Sequence, residues 1–204
     1  EAIPGPVERV ELFLLAHRVL TEAGYQAIGM DHFALQDDEL AVAQRAGRLH
    51  RNFMGYTTRP GLEIVGLGMS AISEMAGCYV QDKGRLARWW NAVEQGTSCV
   101  EKGWVLTEED QLRRDVINAL MCNFTVRFAD LEAVHDIDFE RHFAQELRAL
   151  EPLVKEGLAE RHPDRIDITE LGRLLVRNVA MVFDAYLPAP DRAPEERPRF
   201  SQTV

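Results

Sequence analysis

Apolar residues recur near helical spacing close to the start of the chain: Val10, Phe13, Leu14, Val19 and Leu20. Two prolines precede this stretch and Gly24 follows it, which are the residues that favour a helix start and a C-cap. The pattern therefore predicts a helix over residues 7–23. The next stretch, residues 25–30, is short, partly β-prone and bounded by glycine, and it predicts a strand that delivers Asp31 and His32 at its end.

The following hundred residues alternate between short apolar runs and polar stretches. Asp37 and Asp38 can cap a short helix that reaches about Arg48. Residues 49–58 show neither helical nor strand period and are interpreted as a polar, aromatic loop, which makes them a candidate site. Residues 62–68 are apolar after a Pro-Gly pair and predict a buried strand that runs into a glycine turn. The first half therefore predicts a succession of α/β elements.

The pattern changes after Thr107, which can cap a helix that begins with three acidic residues and ends near Phe124. Asp138 can cap a second helix to about Lys155. Residues 158–161 and 165–168 then form a two-strand pattern, and Thr169 can cap a last helix that reaches about residue 185. This order of elements resembles a winged-helix module.

The pattern predicts three regions. Residues 1–106 form the first, residues 107–187 a helical, winged-helix-like domain, and residues 188–204 an extended tail that is too rich in proline and charge to fold alone. The fold class is therefore a mixed α+β or α/β chain.

Composition narrows the choice of function and compartment. The chain has 204 residues and a formal net charge of −10, which disfavours a nucleic-acid backbone as a partner. It has no apolar run of membrane-spanning length. The three cysteines, Cys78, Cys99 and Cys122, lie far apart in sequence and lack the spacing of a metal site or a disulfide framework. The reducing cytoplasm fits this cysteine content, and no metal ligands are assigned.

One loop carries groups that suit an anionic ligand. Arg51 offers a planar, bidentate donor, and Asn52 and Tyr56 add neutral hydrogen-bonding groups, so the loop can hold a substrate carboxylate. A salt bridge that merely pins the loop is the alternative. His32 and His50 lack two further close donors and are interpreted as structural histidines.

Two other motifs have structural interpretations. Residues 66–71 match the glycine pattern of a dinucleotide site, but the second strand that would end in an acid about 20 residues further on is missing. The glycines are better explained by a tight turn where a ligand or another segment approaches the backbone. Trp89 and Trp90 lie at helical spacing with leucine and predict a packed face.

Long stretches of the sequence resemble the oxygen-independent coproporphyrinogen III oxidases, in particular residues 24–34, 37–44, 49–58, 66–73, 113–117, 122–124, 172–178 and 200–201. The resemblance covers nearly the whole chain. It implies that residues 1–106 supply the terminal βα elements of a radical-SAM barrel-type domain. It also implies that Ile72 contacts S-adenosylmethionine. Asp31, His32, Arg51, Asn52 and Tyr56 are the candidates to line the porphyrinogen cavity, on the chemistry of the propionates rather than on a family assignment.

Members of this family use a [4Fe-4S] cluster, held by a Cys-x3-Cys-x2-Cys motif, to generate a radical from S-adenosylmethionine. The radical converts two propionates of coproporphyrinogen III to vinyl groups in heme synthesis, giving protoporphyrinogen IX. The motif has no counterpart here. The resemblance therefore implies a C-terminal portion without catalytic residues of its own, inactive and without tightly bound cofactor until it is joined to a missing N-terminal segment.

One further expectation and two alternative functions accompany this interpretation. Strands made for a larger sheet leave an unpaired edge, so the isolated chain is expected to dimerise through it. A non-catalytic heme chaperone is the first alternative, and residues 50–58 favour the oxidases because the chaperones diverge there. A winged-helix interaction module that binds duplex DNA is the second, and the acidic charge disfavours it.

Overall fold

A computed structural model describes residues 3–187, and the predicted tail at residues 188–204 lies outside them. The mixed α/β class is confirmed. The elements in chain order are α1 (Pro6–Glu22), β1 (Tyr25–Gly29), β2 (His32–Leu35), α2 (Glu39–Arg45), β3 (His50–Asn52), β4 (Gly55–Thr57), β5 (Ile72–Met75), β6 (Cys78–Asp82), α3 (Leu86–Glu94), β7 (Val100–Val105), α4 (Glu108–Asn123), β8 (Thr125–Arg127), α5 (Phe128–His135), α6 (Phe139–His142), α7 (Ala144–Lys155), β9 (Ala159–Arg161), β10 (Arg165–Ile168), α8 (Glu170–Leu174), α9 (Val176–Ala180) and a 3₁₀ turn (Met181–Phe183).

The first half is built from small antiparallel units. Strands β1 and β2 form one hairpin, β3 and β4 form a second, and β5, β6 and β7 form a three-stranded sheet in that order. Residues 49–58, predicted as a loop, contain the β3–β4 hairpin instead, because its three-residue strands are too short to show a period. Tyr56 and Arg51 are directly opposite each other in it.

The prediction of a buried strand at residues 62–68 is wrong. Only Ile64 makes a strand-like bridge, to Glu74 of β5, and Leu62, Val65 and Leu67 are exposed. The run is apolar, but its side chains do not enter a core of the residues that the structure describes. An apolar run alone does not distinguish a buried strand from an exposed apolar segment.

The second half contains the larger core. Buried side chains from α4 to the 3₁₀ turn form one continuous cluster, at whose centre Phe128 and Phe139 stack with ring centroids 4.2 Å apart. Strands β8, β10 and β9 form an antiparallel sheet in that order, which contains the predicted two-strand pattern. The winged-helix interpretation itself stays a prediction.

Helix starts agree with the predicted caps. Thr107 accepts from the main chain of Asp110 at 3.1 Å, and Asp110 bonds back to Thr107 in a capping box. The helix predicted from Asp138 to Lys155 is divided at Phe143 into α6 and α7. Among the helices of residues 3–187, none combines the length and apolarity that crossing a bilayer requires.

Candidate functional site

The structure places the five predicted cavity residues in two neighbouring hairpins. Asp31 lies in the turn between β1 and β2, and His32 begins β2. Arg51 and Asn52 belong to β3, and Tyr56 belongs to β4. The hairpins meet because β1 and β3 both contact α4, which acts as their common support.

Tyr56 is the centre of this cluster. The His32 ring meets the Tyr56 ring edge-on, with centroids 5.1 Å apart. The guanidinium carbon of Arg51 lies 5.8 Å from the Tyr56 centroid, within cation–π range. Asp31 completes the group through a contact of 2.9 Å from its Oδ1 to Nδ1 of His32. Four of the five predicted residues are therefore neighbours.

Asn52 has a local task in the same hairpin. Its side-chain oxygen accepts a hydrogen bond from the main-chain N–H of Met54 at 2.9 Å, which stabilises the turn between β3 and β4. Arg51 makes no ion pair with a carboxylate among residues 3–187, so the alternative of a salt bridge that pins the loop is not observed there. Arg51 is half-buried.

The environment of Tyr56 keeps its hydroxyl protonated. Burial raises the pKa of Tyr56 to about 12, with a further rise from Cys122 and an opposing effect of the Arg51 charge. The hydroxyl donates to the main-chain oxygen of Met121 in the last turn of α4, at 3.4 Å. Tyr56 is therefore a neutral donor whose ring positions Arg51 and His32.

Gly29 is a site residue that the sequence analysis missed. It has φ of +154° and it lies against the Tyr56 ring. A Cβ at this position would fall inside van der Waals contact with the Tyr56 hydroxyl oxygen and 3.2 Å from Cζ. Its only sequence signal is a glycine at the end of a strand, which also occurs at ordinary turns.

Gln44 and Asn123 fix the hairpins on α4, and neither was predicted. The Gln44 amide donates to the main-chain oxygen of Cys122 at 2.9 Å and also to that of Ile28. Asn123 bonds both the N–H and the carbonyl of Leu49, each at 3.1 Å. The last carbonyls of a helix have no partner within it. Here the side chains of Gln44 and Tyr56 donate to two of them, those of Cys122 and Met121.

Ile72 lies in a different part of the first half. It begins β5 and pairs with Gln81 of β6. A Cβ on Gly66 would be 2.5 Å from the Ile72 carbonyl oxygen, so the glycine permits a close approach between two segments of this chain. The glycine motif at residues 66–71 is explained by this approach. The assignment of Ile72 to S-adenosylmethionine stays a prediction.

Comparisons with known proteins show what this chain is similar to. Residues 106–175 match the family described as "HemN C-terminal domain". The chain is 45% identical over 185 residues to the "Oxygen-independent coproporphyrinogen III oxidase" of Escherichia coli, which covers 91% of this chain and 40% of that protein. A solved structure, "Coproporphyrinogen III oxidase (HemN) from Escherichia coli is a Radical SAM enzyme", superposes with a TM-score of 0.87 over 90% of this chain and 42% of that one.

The chain is similar to the C-terminal portion of an oxygen-independent coproporphyrinogen III oxidase. The resemblance predicted from the sequence is thereby confirmed. Relatives of the same name from Thermostichus vulcanus and Helicobacter pylori are 45% and 39% identical, and the matches cover 57% and 43% of those proteins. The chain thus spans well under two thirds of the oxidases it matches.

The residues present do not fit the [4Fe-4S] cluster that the sequence resemblance implies. Cys78 lies in β6, Cys99 precedes β7 and Cys122 is fully buried in α4. Burial raises the pKa of the Cys122 thiol to about 12, which disfavours the thiolate that a metal needs. Residues 3–187 contain no group of three or more potential ligands arranged to hold a metal ion.

Proposed function

We propose that this chain is the C-terminal portion of the anaerobic coproporphyrinogen III oxidase of heme synthesis, and that it supplies walls of the porphyrinogen cavity. The observation that carries the proposal is the superposition on the E. coli radical enzyme at 44% identity over 90% of this chain. The whole protein would oxidatively decarboxylate two propionates to vinyl groups. Its iron–sulfur cluster and S-adenosylmethionine, with Ile72 as one contact, would supply the radical.

The role we propose for the five predicted residues, four of which are neighbours, is to hold substrate. A propionate carboxylate needs a cation and hydrogen-bond donors, and Arg51 offers a half-buried guanidinium without a carboxylate partner among the described residues. His32 lies at the edge of the Tyr56 ring with Asp31 beside it. These groups bind and orient the substrate, whereas no proton or electron step is assigned to them.

The test is to join this chain to the N-terminal segment of the E. coli oxidase and to assay the product anaerobically. Coproporphyrinogen III and S-adenosylmethionine are supplied, and protoporphyrinogen IX is measured after oxidation to the porphyrin. We expect turnover by the joined polypeptide and none by either part alone. A joined polypeptide that carries the cluster but forms no product would contradict the proposal, and tight heme binding without turnover would favour a heme chaperone.

Two variants make the test specific to the site. Arg51→Gln in the joined polypeptide is expected to raise KM for coproporphyrinogen III by about tenfold or more, because a charged hydrogen bond contributes about 1.5–3 kcal/mol. Arg48→Gln, an exposed change shortly before β3, is the matched control and is expected to leave KM unchanged. Equal KM values for the two variants would remove Arg51 from the cavity.

We further propose that residues 107–187 form a domain of their own and that the parent protein is cytoplasmic.

We also propose that the isolated chain dimerises through β7. This strand lies at the edge of its sheet, and all its residues are exposed, among them Val105 at 78%. An unpaired, apolar edge favours pairing with another strand. Analytical ultracentrifugation is expected to show a dimer that Val105→Lys dissociates. A monomer at all concentrations would refute this contact.

A further inference from the structure

A cavity of about 530 Å³ lies between α1 and the α8–α9 helices, next to the candidate site. Its size is within the range of small-molecule sites in proteins. The walls are mostly apolar, with side chains from both halves of the chain: Val10, Phe13, Leu14, Met30, Leu171, Leu174, Leu175 and Val176. Of the residues that the structure describes, only two charged ones line it, Asp31 and Arg177.

Arg177 is the unusual member of this lining. It belongs to α9, where Val176 and Val179 are buried in the core. Arg177 itself is half-buried, and its guanidinium has no hydrogen bond, ion pair or ring contact with any of residues 3–187. A guanidinium in apolar surroundings without a partner is unfavourable, because desolvation of the charge is not offset by a contact.

Another arginine in the second half of the chain is partly buried and has hydrogen-bond partners for its guanidinium. Arg113 bonds Glu146 at 2.9 Å, Glu109 at 2.5 Å and the main-chain oxygen of Phe183 at 3.0 Å. Residues 3–187 supply no such contact to the Arg177 guanidinium. On the same turn of α9, the buried side-chain oxygen of Asn178 also lacks a hydrogen-bond partner among the described residues. Arg177 lines the apolar cavity, whereas Asn178 is not among the described residues that line it.

Asp31 links the cavity to the candidate site. Its carboxylate contacts His32 at 2.9 Å and lines the cavity. It forms no ion pair with Arg177, so the two charges stay separate and each can meet a different part of a ligand. An apolar cavity with one guanidinium and one carboxylate suits a ligand with a flat apolar body, an acidic edge and N–H donors.

We propose that this cavity binds one edge of a propionate-bearing tetrapyrrole, with Arg177 as the partner of a propionate carboxylate. The assignment rests on the proposed function for the class of ligand, and it adds α1 and α9 to the substrate site. Arg51 and Arg177 then hold propionates at different positions of the macrocycle.

The test uses the whole 204-residue chain and coproporphyrin III, the stable porphyrin with the same four propionates. Binding is followed by porphyrin fluorescence and anisotropy. We expect micromolar binding that Arg177→Gln weakens about tenfold or more, while Arg177→Lys restores part of the loss. Arg148→Gln, an exposed arginine on α7 away from the cavity, is the control and is expected to bind like the unchanged chain.

The tetramethyl ester of coproporphyrin III separates charge from shape. It keeps the macrocycle and lacks the carboxylates, so it is expected to bind the unchanged chain and Arg177→Gln equally. Circular dichroism verifies that each variant is folded. The proposal is supported if Arg177→Gln weakens the acid and leaves the ester unchanged.

Two results overturn the proposal. Equal affinity of the unchanged chain and Arg177→Gln for the acid would mean that Arg177 does not contact a propionate. Absence of coproporphyrin binding at tens of micromolar would remove the cavity from the substrate site. Neither result touches the proposed function, which fails only if the joined and cluster-loaded polypeptide makes no product.

Discussion

Replacing Gly29 with alanine is expected to distort the candidate site through Tyr56. The new Cβ would overlap the Tyr56 hydroxyl oxygen and lie 3.2 Å from Cζ. The backbone φ of +154° at this position is one that side chains with a Cβ rarely adopt. Tyr56 would have to move away from the Met121 carbonyl, and the Arg51 and His32 contacts on its ring would move with it.

The cost can be divided into parts. Backbone strain contributes about 1–3 kcal/mol, and overpacking against a half-buried ring contributes about 1–3 kcal/mol. Gly29→Ala is therefore expected to lower the free energy of unfolding by about 2–6 kcal/mol. Tyr56→Phe alone removes one long hydrogen bond, of about 0.5–1 kcal/mol. With the hydroxyl gone, alanine at position 29 meets only Cζ. The double variant is therefore expected to lose about 1–2 kcal/mol less free energy of unfolding than the two single variants lose in sum.

The assay is urea unfolding of the single and double variants, followed by circular dichroism and tryptophan fluorescence. Gly24→Ala is the control for strain, because Gly24 has φ of +91° and no heavy atom within 4 Å of the added Cβ. It is expected to cost less than Gly29→Ala. Additive effects of Gly29→Ala and Tyr56→Phe within about 0.5 kcal/mol, or an equal cost at Gly24, would refute the reasoning.

Three further predictions concern α4 and its surroundings. Asn123→Ala removes both bonds to the main chain of Leu49 and is expected to lower the free energy of unfolding by about 2 kcal/mol, measured by urea unfolding. Hydrogen bonds, first from Tyr186 and then from Thr107, lower the pKa of Asp110 from 3.8 to about 2, so this carboxylate stabilises the fold above pH 4 and most of the contribution is lost as the pH falls towards 2. Tyr186→Phe is therefore expected to destabilise the chain at pH 6 and to have a smaller effect near pH 2, in thermal unfolding across that range. Excised residues 107–187 are expected to unfold cooperatively in urea, whereas the fragment that precedes them is not.

Helix starts were predictable because a cap is a local interaction. Asp38, Thr107, Asp138 and Thr169 each accept from a main-chain N–H two or three residues further on. A side chain that accepts a hydrogen bond from a nearby main-chain N–H favours a helix start at that position in any fold. The sequence could therefore place where four helices begin, although not where the last of them is divided, at Leu175.

The strand pairs and the anchors of the site were not predictable in the same way. The partner of Gln44 at Cys122 is 78 residues away, and that of Asn123 at Leu49 is 74 residues away. Neither pairing has a local sequence signature, because glutamine and asparagine also occur on exposed helix faces. The clustering of Arg51 with Tyr56 was predictable because both belong to one short segment, whereas the approach of Gly29 depends on how two hairpins pack.

The distribution of buried side chains makes the site depend on the second half of the chain. The larger cluster is formed by buried residues from Leu112 to Phe183. The smaller cluster beneath the hairpins includes Cys122, which α4 contributes. Met121, Cys122 and Asn123 on one turn of α4 also provide the polar contacts that hold Tyr56, Gln44 and Leu49. The end of α4 therefore sets the geometry around Tyr56. A change there is expected to alter ligand binding through the hairpins, even though α4 contributes no residue to the proposed contacts with propionate.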